Sequence, residues 1–278
     1  MRESIKNQLA VIDRLSGRKP QYREVLDIYR RLLEIMQEVP HQPGEFCFAE
    51  DLENTKRQAG LPLFQRDALP IDLRASSELL AGFMESLGKT GREDRQELMN
   101  TLEKLRNDAD WGVGLFQAVL AEDQERLTAC AEQTGLDPSG LNFLAEIALS
   151  PAMEALRCCL AERMNLENWD YGYCPLCGSE PDMACFGDSG KRFLHCQLCG
   201  TQWPFQRIGC PFCSNQEQEA LGYLEPEEEE GLRVYFCTKC RRYLKTVDTR
   251  VFEDPAPMAI ENLVTLHLDM LAEENGFR

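Results

Sequence analysis

Apolar residues in the first half of the chain recur at helical spacing. In QYREVLDIYRRLLEIMQEV, Tyr22, Val25, Leu26, Tyr29, Leu32, Leu33 and Met36 share one stripe at i, i+3, i+4, i+7. Pro20 precedes that stripe and Pro40 closes it, which sets the predicted ends of the helix. Leu79, Leu80, Phe83, Met84 and Leu87 repeat the pattern, with Ser76 or Ser77 as the expected cap. Asp94, with Glu97 three residues on, marks another start, for a helix carrying Leu98, Met99, Leu102 and Leu105. Asp137-Pro138 and Ser150-Pro151 each join a capping residue to a proline at the first helical position, and predict two further starts. The second of these helices is expected to bury Met153, Leu156, Cys159 and Leu160. From Pro40 to Ala75 the period lapses among four prolines, and an irregular connection wrapped on the helical body is expected there.

The pattern changes at ENWDYGYCPLCG. Beyond it come short β-favouring runs, KRFLHC, TQWPFQRI, GLRVYFC and RYLKTVDTRVF, broken by Gly and Pro. The acidic run EPEEEEG between two of them reads as a solvated hairpin tip. The closing segment places Ile260, Leu263, Val264, His267 and Leu271 on one helical stripe, stopped by Gly276. These patterns predict an α+β chain: a helical domain over 1–170, two four-cysteine modules of the rubredoxin or zinc-ribbon kind over 171–207 and 208–255, and a C-terminal helix over 256–278 packing on them.

Charge narrows the function. The formal net charge of the 278 residues is −17, and from Tyr171 onward 17 Asp and Glu face 10 Lys and Arg. A nucleic-acid ribbon needs a basic face to neutralise phosphates, so this balance disfavours nucleic acid as a partner. No run of 18 uncharged apolar residues is present to span a bilayer. The opening MRESIKNQLAVIDRLSGRKP has neither the apolar block of a signal peptide nor twin arginines, so a cytoplasmic location is expected.

A reducing cytoplasm matters because the chain has 13 cysteines, eight of them in four Cys-x-x-Cys pairs: Cys174/Cys177, Cys196/Cys199, Cys210/Cys213 and Cys237/Cys240. Structural disulfides suit neither the compartment nor the odd total. Dithiol redox centres lack a βαβ context. Metal sites fit best, since a two-residue spacer lets a tight turn aim two sulfurs at one ion. Sequential pairing of the knuckles is preferred, with a first-to-third, second-to-fourth cross-brace as the alternative. Gly178 and Gly200 follow the second cysteine of their pairs, where positive φ is needed, whereas Ser214 and Arg241 depart from that rule. Lys239, Arg241, Arg242 and Lys245, with Lys191, Arg192 and Arg207, are placed to offset sites that carry about −2 each. Four-thiolate sites are closed to substrate, and no nucleophile–base set, phosphate loop or carboxylate pair accompanies them, so the chain is not expected to be an enzyme. His195 is read as a hairpin residue near the sulfurs, His267 as a core or interface histidine, and Cys47, Cys130, Cys158 and Cys159 as small core or half-buried residues.

The stretches YCPLCGSEP, FLHCQLCGTQWPFQRIGCPFC, YFCTKCRRYLKTVD and LVTLHLDMLAEENGF, in that order after a helical domain, resemble the formate dehydrogenase accessory protein FdhE family. The resemblance covers roughly Tyr171 to Phe277. It implies a cytoplasmic maturation factor that binds the catalytic subunit of a formate dehydrogenase, carrier of a molybdenum or tungsten pterin cofactor, before export. It also implies rubredoxin-like iron, held by Cys174, Cys177, Cys196 and Cys199 at one site and Cys210, Cys213, Cys237 and Cys240 at the other. Zinc satisfies the same ligands. A rubredoxin-like electron carrier and a zinc-ribbon nucleic-acid factor are the alternatives.

Overall fold

The computed structural model describes residues 2–37, 50–89, 93–161, 164, 166, 168–227 and 229–278. Cys47 and Pro40, singled out above, lie outside them. The described chain has helices α1 (Arg2–Arg18), α2 (Arg23–Met36), α3 (Glu50–Gln58), α4 (Leu73–Leu87), α5 (Arg95–Asn107), α6 (Ala109–Ala121), α7 (Gln124–Thr134) and α8 (Pro138–Leu160). Strands β1 (Pro181–Phe186), β2 (Arg192–Cys196), β3 (Gln202–Phe205), β4 (Leu221–Leu224), β5 (Leu232–Cys237) and β6 (Tyr243–Asp248) follow, then helices α9 (Met258–Leu263) and α10 (Leu266–Glu274). The fold is α+β, and it divides into two compact units. One takes in the described residues of the ranges 2–13, 23–37 and 66–159. The other takes in the described residues of 14–22, 50–65 and 160–278.

In the first unit, α4 packs against α2, α5 and α6, and α7 against α5 and α6. The expected stripes are the buried ones: Leu26, Leu32, Leu33 and Met36 on α2, all five named residues on α4, and Leu98, Leu102 and Leu105 on α5, with Met99 left exposed. The cap of α4 is Asp72, not a serine; its Oδ1 accepts the amides of Arg74 and Ala75 at 2.9 and 3.2 Å. Ser76 and Ser77 are buried inside the helix. At Ser77 α6 crosses closely: a Cβ added at Gly112 would lie 2.2 Å from Ser77 Oγ.

The two helices expected from Pro138 and Pro151 are one, with Pro151 in its interior. Proline cannot donate to the Ile147 carbonyl four residues back, and the Ser150 hydroxyl donates to it instead, at 2.7 Å. Met153, Leu156 and Leu160 are buried as expected. Cys158 and Cys159 are exposed, which corrects the core reading: Cys158 is turned from that stripe, and Cys159 falls at its edge in the last turn. Cys130 is half-buried, as expected.

In the second unit, β1, β2 and β3 form an antiparallel meander, and so do β4, β5 and β6. A parallel pairing of β1 with β6, Met183 opposite Lys245 through Phe186 opposite Asp248, fuses them into one sheet of order β3-β2-β1-β6-β5-β4. The closing stripe is two helices, not one. α9 ends at Leu263, and buried Thr265 at the break donates its hydroxyl back to the Glu261 carbonyl at 2.7 Å. Met183, Cys185, Leu232, Val234 and Val247 of the sheet pack with Met258, Leu268, Ala272 and Phe277 in one core. Cys185 is therefore a core residue. Among the described residues, no helix is long and apolar enough to cross a membrane.

Candidate metal centres

Each Cys-x-x-Cys pair makes the same turn. The amide of the first cysteine donates to the carbonyl five residues on, and the amide four residues on donates back to the first cysteine's carbonyl. At Cys174 these bonds reach Ser179 and Gly178 at 2.8 and 2.9 Å; at Cys196, Thr201 and Gly200 at 2.9 and 3.1 Å. At Cys210 they reach Asn215 and Ser214 at 2.9 and 3.0 Å; at Cys237, Arg242 and Arg241 at 3.0 and 2.9 Å. The turn requires a left-handed residue after the second cysteine, and all four have one: φ is 76° at Gly178, 66° at Gly200, 57° at Ser214 and 62° at Arg241. Ser214 and Arg241 therefore do not break the pattern. They adopt it at the steric cost of a Cβ, roughly 1–2 kcal/mol per residue.

The hairpins bring the turns together in sequential pairs. Cys174, Cys177, Cys196 and Cys199 form one group that could hold a metal ion, and Cys210, Cys213, Cys237 and Cys240 form the other. Sulfur separations in the first group include 3.4 Å for Cys174–Cys199, 3.5 Å for Cys177–Cys196 and 3.7 Å for Cys177–Cys199. In the second, Cys210–Cys240 is 3.6 Å and Cys213–Cys237 is 3.7 Å. Four sulfurs about 2.3 Å from one ion in a tetrahedron stand about 3.8 Å apart, so both groups fit a metal of that kind. Burial pushes the Cys174 and Cys196 thiols well up, while hydrogen bonds from Cys174, Cys196 and Cys199 hold Cys177 well below its ordinary value. A dry site of this kind resists four negative charges unless a cation supplies the compensation.

The groups differ in exposure. All four cysteines of the first are buried, whereas in the second Cys213 is exposed and Cys240 half-exposed. The first group also has a contact from far upstream. The amides of Leu63 and Phe64 donate to the carbonyls of Pro175 and Leu176 at 2.8 and 2.9 Å, and Tyr173 Oη donates to the Gly60 carbonyl at 2.5 Å. Part of the expected irregular connection thus lies on the first knuckle. Sequence reasoning missed this clamp because backbone hydrogen bonding to a distant turn has no residue signature. A polar residue two places after the second cysteine was a legible signal that went unused. Ser179 Oγ stands 3.3 Å from Cys177 Sγ, Thr201 Oγ1 stands 3.1 Å from Cys199 Sγ, and Asn215 Nδ2 donates to Cys237 Sγ at 3.8 Å.

The cations are less free than expected. Lys245 pairs with Asp269 at 2.7 Å, and Lys239 with Glu217 at 2.5 Å. Arg241 donates to the Gly276 carbonyl and lies over Phe277. Arg242 grips Glu180 with two bonds of 2.6 and 2.5 Å, tying the fourth knuckle to the first module, and stacks 3.7 Å from the Phe212 ring centroid. Arg192 and Arg242 interact electrostatically with Cys210. His195 is a hairpin residue, with Nδ1 2.7 Å from Asp182 Oδ1. His267 Nδ1 is 2.6 Å from the Tyr22 hydroxyl, and its Nε2 is 3.1 Å from a Glu229 oxygen. Glu229 also pairs with Lys19 at 3.1 Å, so the acidic hairpin tip is not simply solvated.

A family model described as "FdhE, central domain" matches residues 173–207, the first module. The FdhE homolog of Aquifex aeolicus is 26% identical, aligned over 99% of this chain and 92% of its own. The similarity to an FdhE homolog thus runs over nearly the whole chain. The FdhE homolog of Pseudomonas aeruginosa is 31% identical over 60% of this chain and 57% of its own length. FdhE of Salmonella paratyphi B is 36% identical over 38% and 34%. The crystal structure of the FdhE protein from Pseudomonas aeruginosa superposes with a TM-score of 0.70 at 22% identity, covering 100% of this chain and 94% of that one, which establishes the shared fold.

Proposed function

We propose that the protein is a non-catalytic accessory factor of formate dehydrogenase, which holds one metal ion in each four-cysteine group and binds the enzyme's catalytic subunit in the cytoplasm before export. The observation that carries the reading is the pair of sulfur tetrahedra, built from four identical turns, within a chain similar to FdhE proteins over nearly its whole length. Iron is the ion we assign, from the family resemblance; bound there, it supplies a one-electron change at constant ligation. Because the sulfurs converge only in the folded chain, ion binding adds to the folding free energy of each module.

The test is an anaerobic pull-down from extract of cells expressing a formate dehydrogenase, with metal-loaded protein as bait. Recovery of the catalytic subunit is the expected result. Its absence overturns the client assignment. Metal analysis of the same bait should give two ions per chain, one in a Cys174→Ser/Cys177→Ser variant. The solvent-exposed edge of the second group at Cys213 favours a second reading, electron transfer. That reading predicts reversible reduction by a small flavin reductase, whether or not a client is recovered.

A further inference from the structure

Beside the second four-cysteine group lies a cavity of about 230 Å³, walled by β2, the loop 207–212 and the β4–β5 hairpin. Cys210 and Cys237 form part of its wall, with Phe212 and Tyr235, and with Arg192. Arg192 is the unusual member. It is 3% exposed, and its Nη1 donates to the Gly209 carbonyl at 3.0 Å. Its guanidinium carbon lies 5.5 Å from the Tyr235 ring centroid and 5.7 Å from that of Phe205. Its Nε is buried without a hydrogen-bond partner, and no carboxylate pairs with it among the described residues. A buried guanidinium with a vacant donor and no counter-carboxylate carries a desolvation cost that an anion would offset. Arg242, on the same wall, is already engaged by Glu180. The mouth is apolar and open, with Ile208 and Tyr223 49% and 52% exposed.

We propose that this cavity binds a small organic anion, a carboxylate or phosphate ester carried on a single ring, with Arg192 holding the acidic group and Tyr235 and Phe212 holding the ring. The volume falls below the range of about 300–1,000 Å³ usual for larger ligands, so one ring fills it. The Arg fork matches carboxylate or phosphate in two bonds, and aromatic walls with a few placed donors are the ordinary make-up of such a site. The site is independent of the client reading, which does not involve the cavity. The competing use of the Arg192 charge is as counter-ion to the four thiolates of the second group, with no ligand at all.

Ligand-observed NMR titration of metal-loaded, full-length protein separates these. The probes are benzoate and phenyl phosphate, with benzyl alcohol as the uncharged ring and inorganic phosphate as the ringless anion. At least one of the two ring anions should bind at least tenfold more tightly than either control. Arg192→Leu should weaken that binding at least tenfold, and so should Ile208→Trp, which blocks the mouth. If Arg192→Leu sheds metal or fails to fold, Ile208→Trp decides, since Ile208 sits half-exposed outside the core. Failure of both ring anions to bind, no preference over the controls, or binding unchanged by Ile208→Trp overturns the proposal. Metal loss from Arg192→Leu without anion binding to the wild type gives the charge to the metal centre.

Discussion

At the residue scale, the position after the second cysteine of each knuckle is where side chain and backbone disagree most. Ser214 and Arg241 carry a Cβ in a left-handed conformation that Gly178 and Gly200 adopt without cost. Ser214→Gly should therefore stabilise the second module by about 0.5–1 kcal/mol, the relief of Cβ strain less the added chain entropy. Gly178→Ala should destabilise the first by roughly 1–2 kcal/mol, since it strains φ and sets a Cβ 3.2 Å from Pro62. Urea unfolding of metal-loaded variants measures both, and a stabilising Gly178→Ala would contradict the account. Glu261 offers a test in pH. It is 7% exposed, and burial raises its carboxyl above the ordinary value, against the pull of Lys19 and Arg14. A raised folded value means stability is present below about pH 4, where the unfolded group titrates, and is lost as pH climbs through the folded value. Glu261→Gln should match the wild type at pH 4 and exceed it at pH 7, the difference growing until pH passes the folded value. A constant difference across that range would remove Glu261 as the cause.

At the element scale, the strand meanders supply the turns, but a piece of chain more than a hundred residues upstream decides how the first pair sits. The amides of Leu63 and Phe64 occupy the Pro175 and Leu176 carbonyls. Leu63→Pro deletes one donor. It should leave the first module folded with metal but expose its sulfurs, raising the rate of metal transfer to a chelator at least tenfold. An unchanged rate would show that the clamp does not control access. The same scale explains α8. A proline at residue 151 did not start a helix, because Ser150 satisfies the Ile147 carbonyl that the proline leaves open, and the flanking apolar positions, Leu149, Ala152 and Met153, are all buried.

For the whole molecule, two groups of four cysteines differ in how far they are covered. The first is buried at all four cysteines; the second opens at Cys213 and Cys240. A colorimetric chelator should therefore remove metal in two phases, with the fast phase abolished by Cys210→Ser/Cys213→Ser and the slow one by Cys174→Ser/Cys177→Ser. A single phase for the intact protein would mean that exposure does not govern release.

The sequence by itself determined the four cysteine turns that could hold metal. Eight cysteines at two-residue spacing, with a glycine or its substitute after each pair, dictate four turns, because those constraints are local and act over five residues. Apolar periodicity likewise determined which faces of α2, α4 and α5 are buried. What local pattern could not carry was left to the tertiary structure. The parallel β1–β6 pairing fused two modules into one sheet, although β1 and β4 had no strong strand signal of their own. Segment 60–64 chose one knuckle to cover, and CPLCG and CPFCS, nearly the same five residues, ended buried in one case and open in the other. Burial depends on what chain arrives from a distance, and no window of sequence around a cysteine contains that information.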